Sequence, residues 1–175
     1  DLCNKILLLA ARSGNANCIA ALYKSNNIDC NTVYLYNYRA MMLAAENGHA
    51  DCITTLYNTF GYKIYRNEFS VYGAAFMLAV EKGHTDCIKA LLECFEYNKE
   101  NLLLVVAKNG HTDCITALHE YFGDTIDCNA VDQDSNTALM VAAKNGHADC
   151  ITVLHTCFGD KIDCNAVNID HRNAL

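Results

Sequence analysis

The 175-residue sequence has no proline and only nine glycines, which excludes a collagen-like chain, a proline-rich arm and a disordered linker. Long apolar runs are missing too. Runs such as Ile6 to Ala11 cover under two helical turns, too short to cross a bilayer, so no membrane partner is expected. The amino end, Asp1-Leu2-Cys3-Asn4, lacks the basic region and cleavage motif of a secretion signal. It also lacks a starting methionine, so the chain reads as a fragment. Positive charge is scarce: 13 Lys and Arg stand against 20 Asp and Glu, for a net charge of -7. The deficit is uneven, with residues 1–87 balanced at 7 and 7 and residues 88–175 carrying 6 basic against 13 acidic side chains. With no basic stripe to collect phosphates, nucleic acid is not an expected partner.

What the chain does contain is apolar residues, at 52%, and eleven cysteines. An odd number argues against a disulfide framework. So does their placement, since Cys18, Cys52, Cys87, Cys114 and Cys150 each fall four residues after a glycine. Free cysteine behaves as a small buried hydrophobe, and this many reduced thiols fit a cytoplasmic setting. Those cysteines belong to an internal repeat. Asn47-Gly48-His49-Ala50-Asp51-Cys52 returns as Lys82-Gly83-His84-Thr85-Asp86-Cys87, as Asn109-Gly110-His111-Thr112-Asp113-Cys114 and as Asn145-Gly146-His147-Ala148-Asp149-Cys150. A weaker first copy is Ser13-Gly14-Asn15-Ala16-Asn17-Cys18, and the glycines are spaced by 34, 35, 27 and 36 residues.

Around each glycine the apolar spacing is helical. Ala138 to Ala143 reads as a short helix whose alanines permit close backbone approach, and Cys150-Ile151-Thr152-Val153-Leu154 opens a second. The glycine between them supplies a turn at positive φ. Asp51, Asp86, Asp113 and Asp149 fall in the first turn of the second helix, where unpaired N–H groups and the helix dipole favour an anion. A further phrase, Ile126-Asp127-Cys128-Asn129-Ala130, recurs as Ile162-Asp163-Cys164-Asn165-Ala166 and, in part, as Ile28-Asp29-Cys30-Asn31. One unit of two short helices and an extended finger cannot bury its own apolar surface, so the copies must stack.

These residues resemble the ankyrin-repeat family, over essentially the whole of residues 1–175. Thr137-Ala138-Leu139-Met140 stands where the family has Thr-Pro-Leu-His, Ala142-Ala143 and Gly146-His147 match directly, and Asp127-Cys128-Asn129-Ala130 is similar to Asp-Val-Asn-Ala. The resemblance implies an all-α repeat solenoid of about five stacked helix-turn-helix units with fingers. The chain departs from the family pattern in two ways. The helix-opening proline is absent throughout, and the family histidine is replaced by Leu8, Met42, Met77, Leu104 and Met140. Spacing of 27 between Gly83 and Gly110 leaves one repeat, around residues 96–101, without its finger. At the other end, His171 to Leu175 aligns with Ser135 to Leu139, as though a further repeat begins near residue 167.

Recurring His, Asp and Cys invite a zinc or nucleophile reading, but equivalent residues of stacked repeats lie about 10 Å apart and form ladders, not clusters. No catalytic residue, metal site or cofactor is therefore expected, and His49, His84, His111 and His147 read as turn or helix-start residues. By resemblance, the function is that of a scaffold binding a protein partner through finger tips and a concave face of first helices. The alternatives are the target-recruiting module of a larger enzyme, a host-directed effector acting in a host cytosol, or a homo-assembly module; a monomer is expected. Carried over by alignment, Arg12, Glu46, Glu81, Lys82, Lys108 and Lys144 should face the partner. Seven of the ten tyrosines lie in residues 34–72. Tyr34, Tyr36 and Tyr38 alternate in one expected finger, and Phe69 and Tyr72 occupy the next. Three uses stand open for them: partner contact, padding a finger against its neighbour, or crystal and assembly contacts.

Overall fold

The computed structural model describes residues 2–25, 30–60, 69–95 and 99–174. Among them ten α-helices follow one another: α1 (Leu2–Arg12), α2 (Ala16–Lys24), α3 (Cys30–Glu46), α4 (Ala50–Phe60), α5 (Phe69–Lys82), α6 (Thr85–Cys94), α7 (Leu102–Asn109), α8 (Thr112–Phe122), α9 (Ala138–Lys144) and α10 (Ala148–Phe158). Each glycine-centred copy is one helix pair. The chain reverses over Gly14, Gly48, Gly83, Gly110 and Gly146, all at φ between +71° and +81°, where a side chain would be strained. After the glycine, the next N–H reaches five residues back into the ended helix. Asn15 donates to Ala10 (2.8 Å), His49 to Ala44 (2.9 Å), His84 to Ala79 (2.8 Å) and His147 to Ala142 (2.9 Å). Those bonds satisfy carbonyls that a helix end otherwise leaves unpaired. All four acceptors are buried alanines, small enough for the returning strand of chain to pass close.

Residues 1–96 form one compact unit and residues 97–175 a second. In the first unit α1 packs on α3 and α3 on α5, while α2 packs on α4 and α4 on α6. First helices thus stack with first helices and second with second. In the second unit α7 packs on α9 and α8 on α10 in the same manner. Ile19, Ile53 and Ile88 are wholly buried at the equivalent place in three successive second helices, and Ile115 repeats the position. Burial of each such side chain stabilises by about 1.5–3 kcal/mol.

Fingers are where the structure departs from the reading of the sequence. One spans Ile126 to Thr137, closed by an antiparallel bridge between Val131 and Thr137. Its tip is held by Asp132, whose Oδ1 accepts the N–H groups of Asp134 (2.9 Å) and Asn136 (2.8 Å). Asn136, itself buried, adds its Nδ2 to both carboxylate oxygens, and the Thr137 hydroxyl then accepts from Met140 N to start α9. Asn168 repeats the device, accepting from Asp170 N and Arg172 N at 3.0 Å each.

Of residues 33–38 and 68–73, expected as fingers, residue 68 lies outside the described residues and the others are helical instead: they belong to α3 and α5, which run to 17 and 14 residues against 8 in α7 and 7 in α9. The reason is local. At the places of Asp132 and Thr137, the repeat of α3 has Tyr34 and Arg39, and that of α5 has Phe69 and Ala74. Without a short side chain to accept backbone N–H groups, nothing competes with the helix. More than one repeat therefore lacks a hairpin, not only the one around residues 96–101, where Lys99–Asn101 form a one-turn 3-10 segment leading into α7.

Candidate functional site

The repeated histidine begins each second helix, with His84, His111 and His147 at the N-cap position. None of these three forms the usual side-chain cap bond to its own helix. For His84 and His147, and for His49 ahead of α4, the ring turns to the preceding repeat. His49 Nε2 lies 3.1 Å from the Arg12 carbonyl, His84 Nε2 3.2 Å from that of Glu46, and His147 Nε2 3.1 Å from that of Lys108. A carbonyl only accepts, so Nε2 bears the proton and donates. Each bond satisfies an unpaired carbonyl in the last turn of a first helix.

The same rings lie flat over the preceding glycine. A Cβ on Gly14 would meet the His49 ring at 2.7 Å, one on Gly48 the His84 ring at 3.1 Å, and one on Gly110 the His147 ring at 2.6 Å. Glycine is required there twice over, by its φ and by its neighbour. In the first copy, Asn15 replaces the histidine and caps its own helix, its Oδ1 accepting from Cys18 N at 3.0 Å. The spacing of Gly-His pairs was visible in the sequence; that each pair joins its predecessor was not, because the contact spans 37 to 39 residues.

These bonds fix the backbone at Arg12, Glu46 and Lys108, three of the charged residues expected to meet a partner. Arg12, Glu46, Glu81, Lys82, Lys108 and Lys144 all lie in the last turns of first helices, and all are exposed. Lys82 Nζ is 3.5 Å from Glu81 Oε1, a solvent-exposed pair of small energetic weight. The tyrosines are placed differently from the expectation. Tyr36 and Tyr38 are half-buried on α3, and residues two apart on a helix point about 200° apart, so these two do not share a face. Between them Asn37, buried, accepts a hydrogen bond from the Tyr23 hydroxyl at 3.0 Å. The side chains of Tyr34, Phe69 and Tyr72 lie outside those described.

Cysteines of the repeat are core residues. Cys52, Cys87, Cys114 and Cys150 are fully buried, and the ten cysteines whose side chains are described are free thiols. Burial, with Asp51 alongside, pushes the Cys52 thiol up to about 11; burial, with Asp86 and Cys52, pushes Cys87 up to about 12. Such thiols stay protonated near neutrality and are poor nucleophiles or ligands. Cys164 Sγ comes within 3.6 Å of His155 Nε2, but it also lies 3.8 Å from the Ile162 carbonyl, which competes for its proton. Among the described residues no three His, Cys, Asp or Glu side chains converge as a metal site would require.

Charge is fixed elsewhere by the fingers. Burial alone would raise the Asp132 carboxyl, but the bonds from the Asn136 side chain and from the Asn136 and Asp134 amides, with Lys144 nearby, hold it below the usual carboxylate range. The exposed Asp124 is also held low, chiefly by its hydrogen bond and ion pair with Lys161.

Among curated proteins no relative is found. The family model for ankyrin repeats, in three copies, matches residues 2–68 and 76–168. With five helix pairs, a glycine turn in each and the match spanning most of its length, the chain belongs to the ankyrin-repeat family.

Proposed function

We propose that this chain is a scaffold that binds a protein partner through the exposed ends of its first helices and its finger tips, and that it catalyses no reaction itself. Ankyrin repeats are in general protein–protein interaction modules. The observation that supports the reading here is the pairing of a constant backbone with a changing surface. At Arg12, Glu46 and Lys108 the carbonyl is tied down by the next repeat's histidine, while the side chain on the same residue is exposed and is not of one sign. A surface whose frame is already ordered loses little entropy on binding, and a mixed charge pattern sets register and rejects wrong partners. Half-buried Tyr36 and Tyr38 are proposed as aromatic surface on the same unit.

The test is charge reversal. Arg12→Glu, Glu46→Lys, Lys108→Glu and Lys144→Glu, made together in the full chain, should lower capture of a specific protein from source-cell lysate by at least ~10-fold. The carbonyls that the histidines use remain, so the melting temperature should stay unchanged. Unaltered capture by the reversed chain would count against the reading.

A further inference from the structure

The fingers of residues 97–175 carry more than their fold requires. Over that stretch 11 acidic side chains face 5 basic ones. Four of the acids are explained by structure: Asp132 holds its tip, Asp127 and Asp163 accept from Asn129 N and Asn165 N in their turns, and Asp124 pairs with Lys161. Asp134 and Asp170 sit at the two tips, exposed, with their backbone N–H groups already used to close the loops. Beside them are apolar side chains that the fold leaves in water: Val131 at 50%, Val167 at 54% and Ile169 at 61% exposure. Val131 remains exposed although a second finger packs next to its own, so its exposure is a property of the finger position.

The two tips are locked together. Ile169 N donates to the Asp134 carbonyl at 3.2 Å, and Asn168 Nδ2 to Asn136 Oδ1 at 2.9 Å. Lower down, Asn129 Nδ2 donates to the Lys161 carbonyl at 2.7 Å while its Oδ1 accepts from Asp163 N at 2.9 Å. Apolar and acidic groups are therefore interleaved on one ordered edge of this unit. An acidic partner would be repelled, a neutral one would leave two carboxylates desolvated without a counter-charge, and a purely basic one would leave the valines and isoleucine wet.

We propose that this edge binds a protein segment in which basic and aliphatic side chains alternate, lysine or arginine meeting Asp134 and Asp170, and the aliphatic groups covering Val131, Val167 and Ile169. The inference rests on the binding reading above and names the chemistry of the partner for this part of it.

Fluorescence anisotropy of the full chain with a labelled lysine–valine decapeptide, at about 150 mM salt to screen diffuse attraction, tests this. Lysine–serine and glutamate–valine decapeptides serve as comparisons. The lysine–valine peptide should bind, and each comparison should bind at least ~10-fold more weakly. Asp134→Asn with Asp170→Asn, and separately Val131→Ser with Val167→Ser, should each weaken binding at least ~10-fold. Asp113→Asn with Asp149→Asn removes the same charge from exposed places on α8 and α10 and should leave affinity within about 2-fold. Equal loss in that control pair, equal binding of the lysine–serine peptide, or no binding of the lysine–valine peptide overturns the inference. Should charge reversal at the first-helix ends abolish capture while the finger edge fails these tests, the binding reading stands and this inference alone falls.

Discussion

At Gly110 and Gly146 the backbone is the same, with φ of +79° and +77°, yet the surroundings differ. The His147 ring covers Gly110, whereas a Cβ at Gly146 would meet nothing within 4 Å. Alanine at Gly146 should therefore cost only the strain of a left-handed residue, about 1–2 kcal/mol. Alanine at Gly110 adds displacement of His147 and loss of its bond to the Lys108 carbonyl, worth about a further 1 kcal/mol. Thermal or urea unfolding of the two variants measures the difference, and equal losses would mean that the ring contributes nothing. From the sequence, the turn glycines and the helix-start histidines were both legible, since φ and position follow from local chemistry. Their union was not, because a hydrogen bond to a main-chain carbonyl leaves no mark on the identity of the residue that accepts it.

The finger is the element whose stability depends on one carboxylate. Asp132 is held below its ordinary range in the fold, so it contributes stability above about pH 3.8, the unfolded value, and loses it as pH falls through the lower folded value. Acidification below pH 4 should loosen the tip between Asp132 and Thr137 ahead of the helices. Hydrogen exchange at the Asp134 and Asn136 amides should report it, with protection falling as the pH drops below about 3.8. In Asp132→Asn, whose Oδ1 can still accept both amides but which loses the Asn136 Nδ2 bond to Oδ2 and does not titrate, protection should be lower from the start and flat as the pH falls. A parallel fall in the variant would place the effect elsewhere. The same chemistry explains where the reading of elements failed. Asp132, Asn136 and Thr137 make a finger, and their replacement by Tyr34, Tyr38 and Arg39 makes a helix, so the length of α3 was present in the sequence as an absence of capping residues. Alternating tyrosines suggested an extended finger, and helical geometry separates Tyr36 from Tyr38 instead.

For the molecule as a whole, repetition made the fold legible and left the partner obscure, for one physical reason. Repeats are alike at the buried alanines and isoleucines, at the turn glycines and at the exposed aspartates that open the second helices, and unlike at the first-helix ends and the fingers. The first-helix ends change charge, one pair of fingers is acidic and aliphatic, and two repeats replace the finger with helix. On the proposed reading, those differences are what a partner would recognise. On that reading the first-helix ends and the finger tips, and not the second helices, meet a protein partner. Site-specific photocrosslinking tests it most directly: a benzophenone side chain is placed in turn at Glu46, Lys108 and Gln133, all exposed on the proposed surface, and at Thr54 and Thr152, exposed on α4 and α10. After irradiation in source-cell lysate, the first three positions should give adducts with one common protein and the last two should give none above background. Adducts of equal yield from Thr54 and Thr152, or none from Glu46, Lys108 and Gln133, would contradict the account.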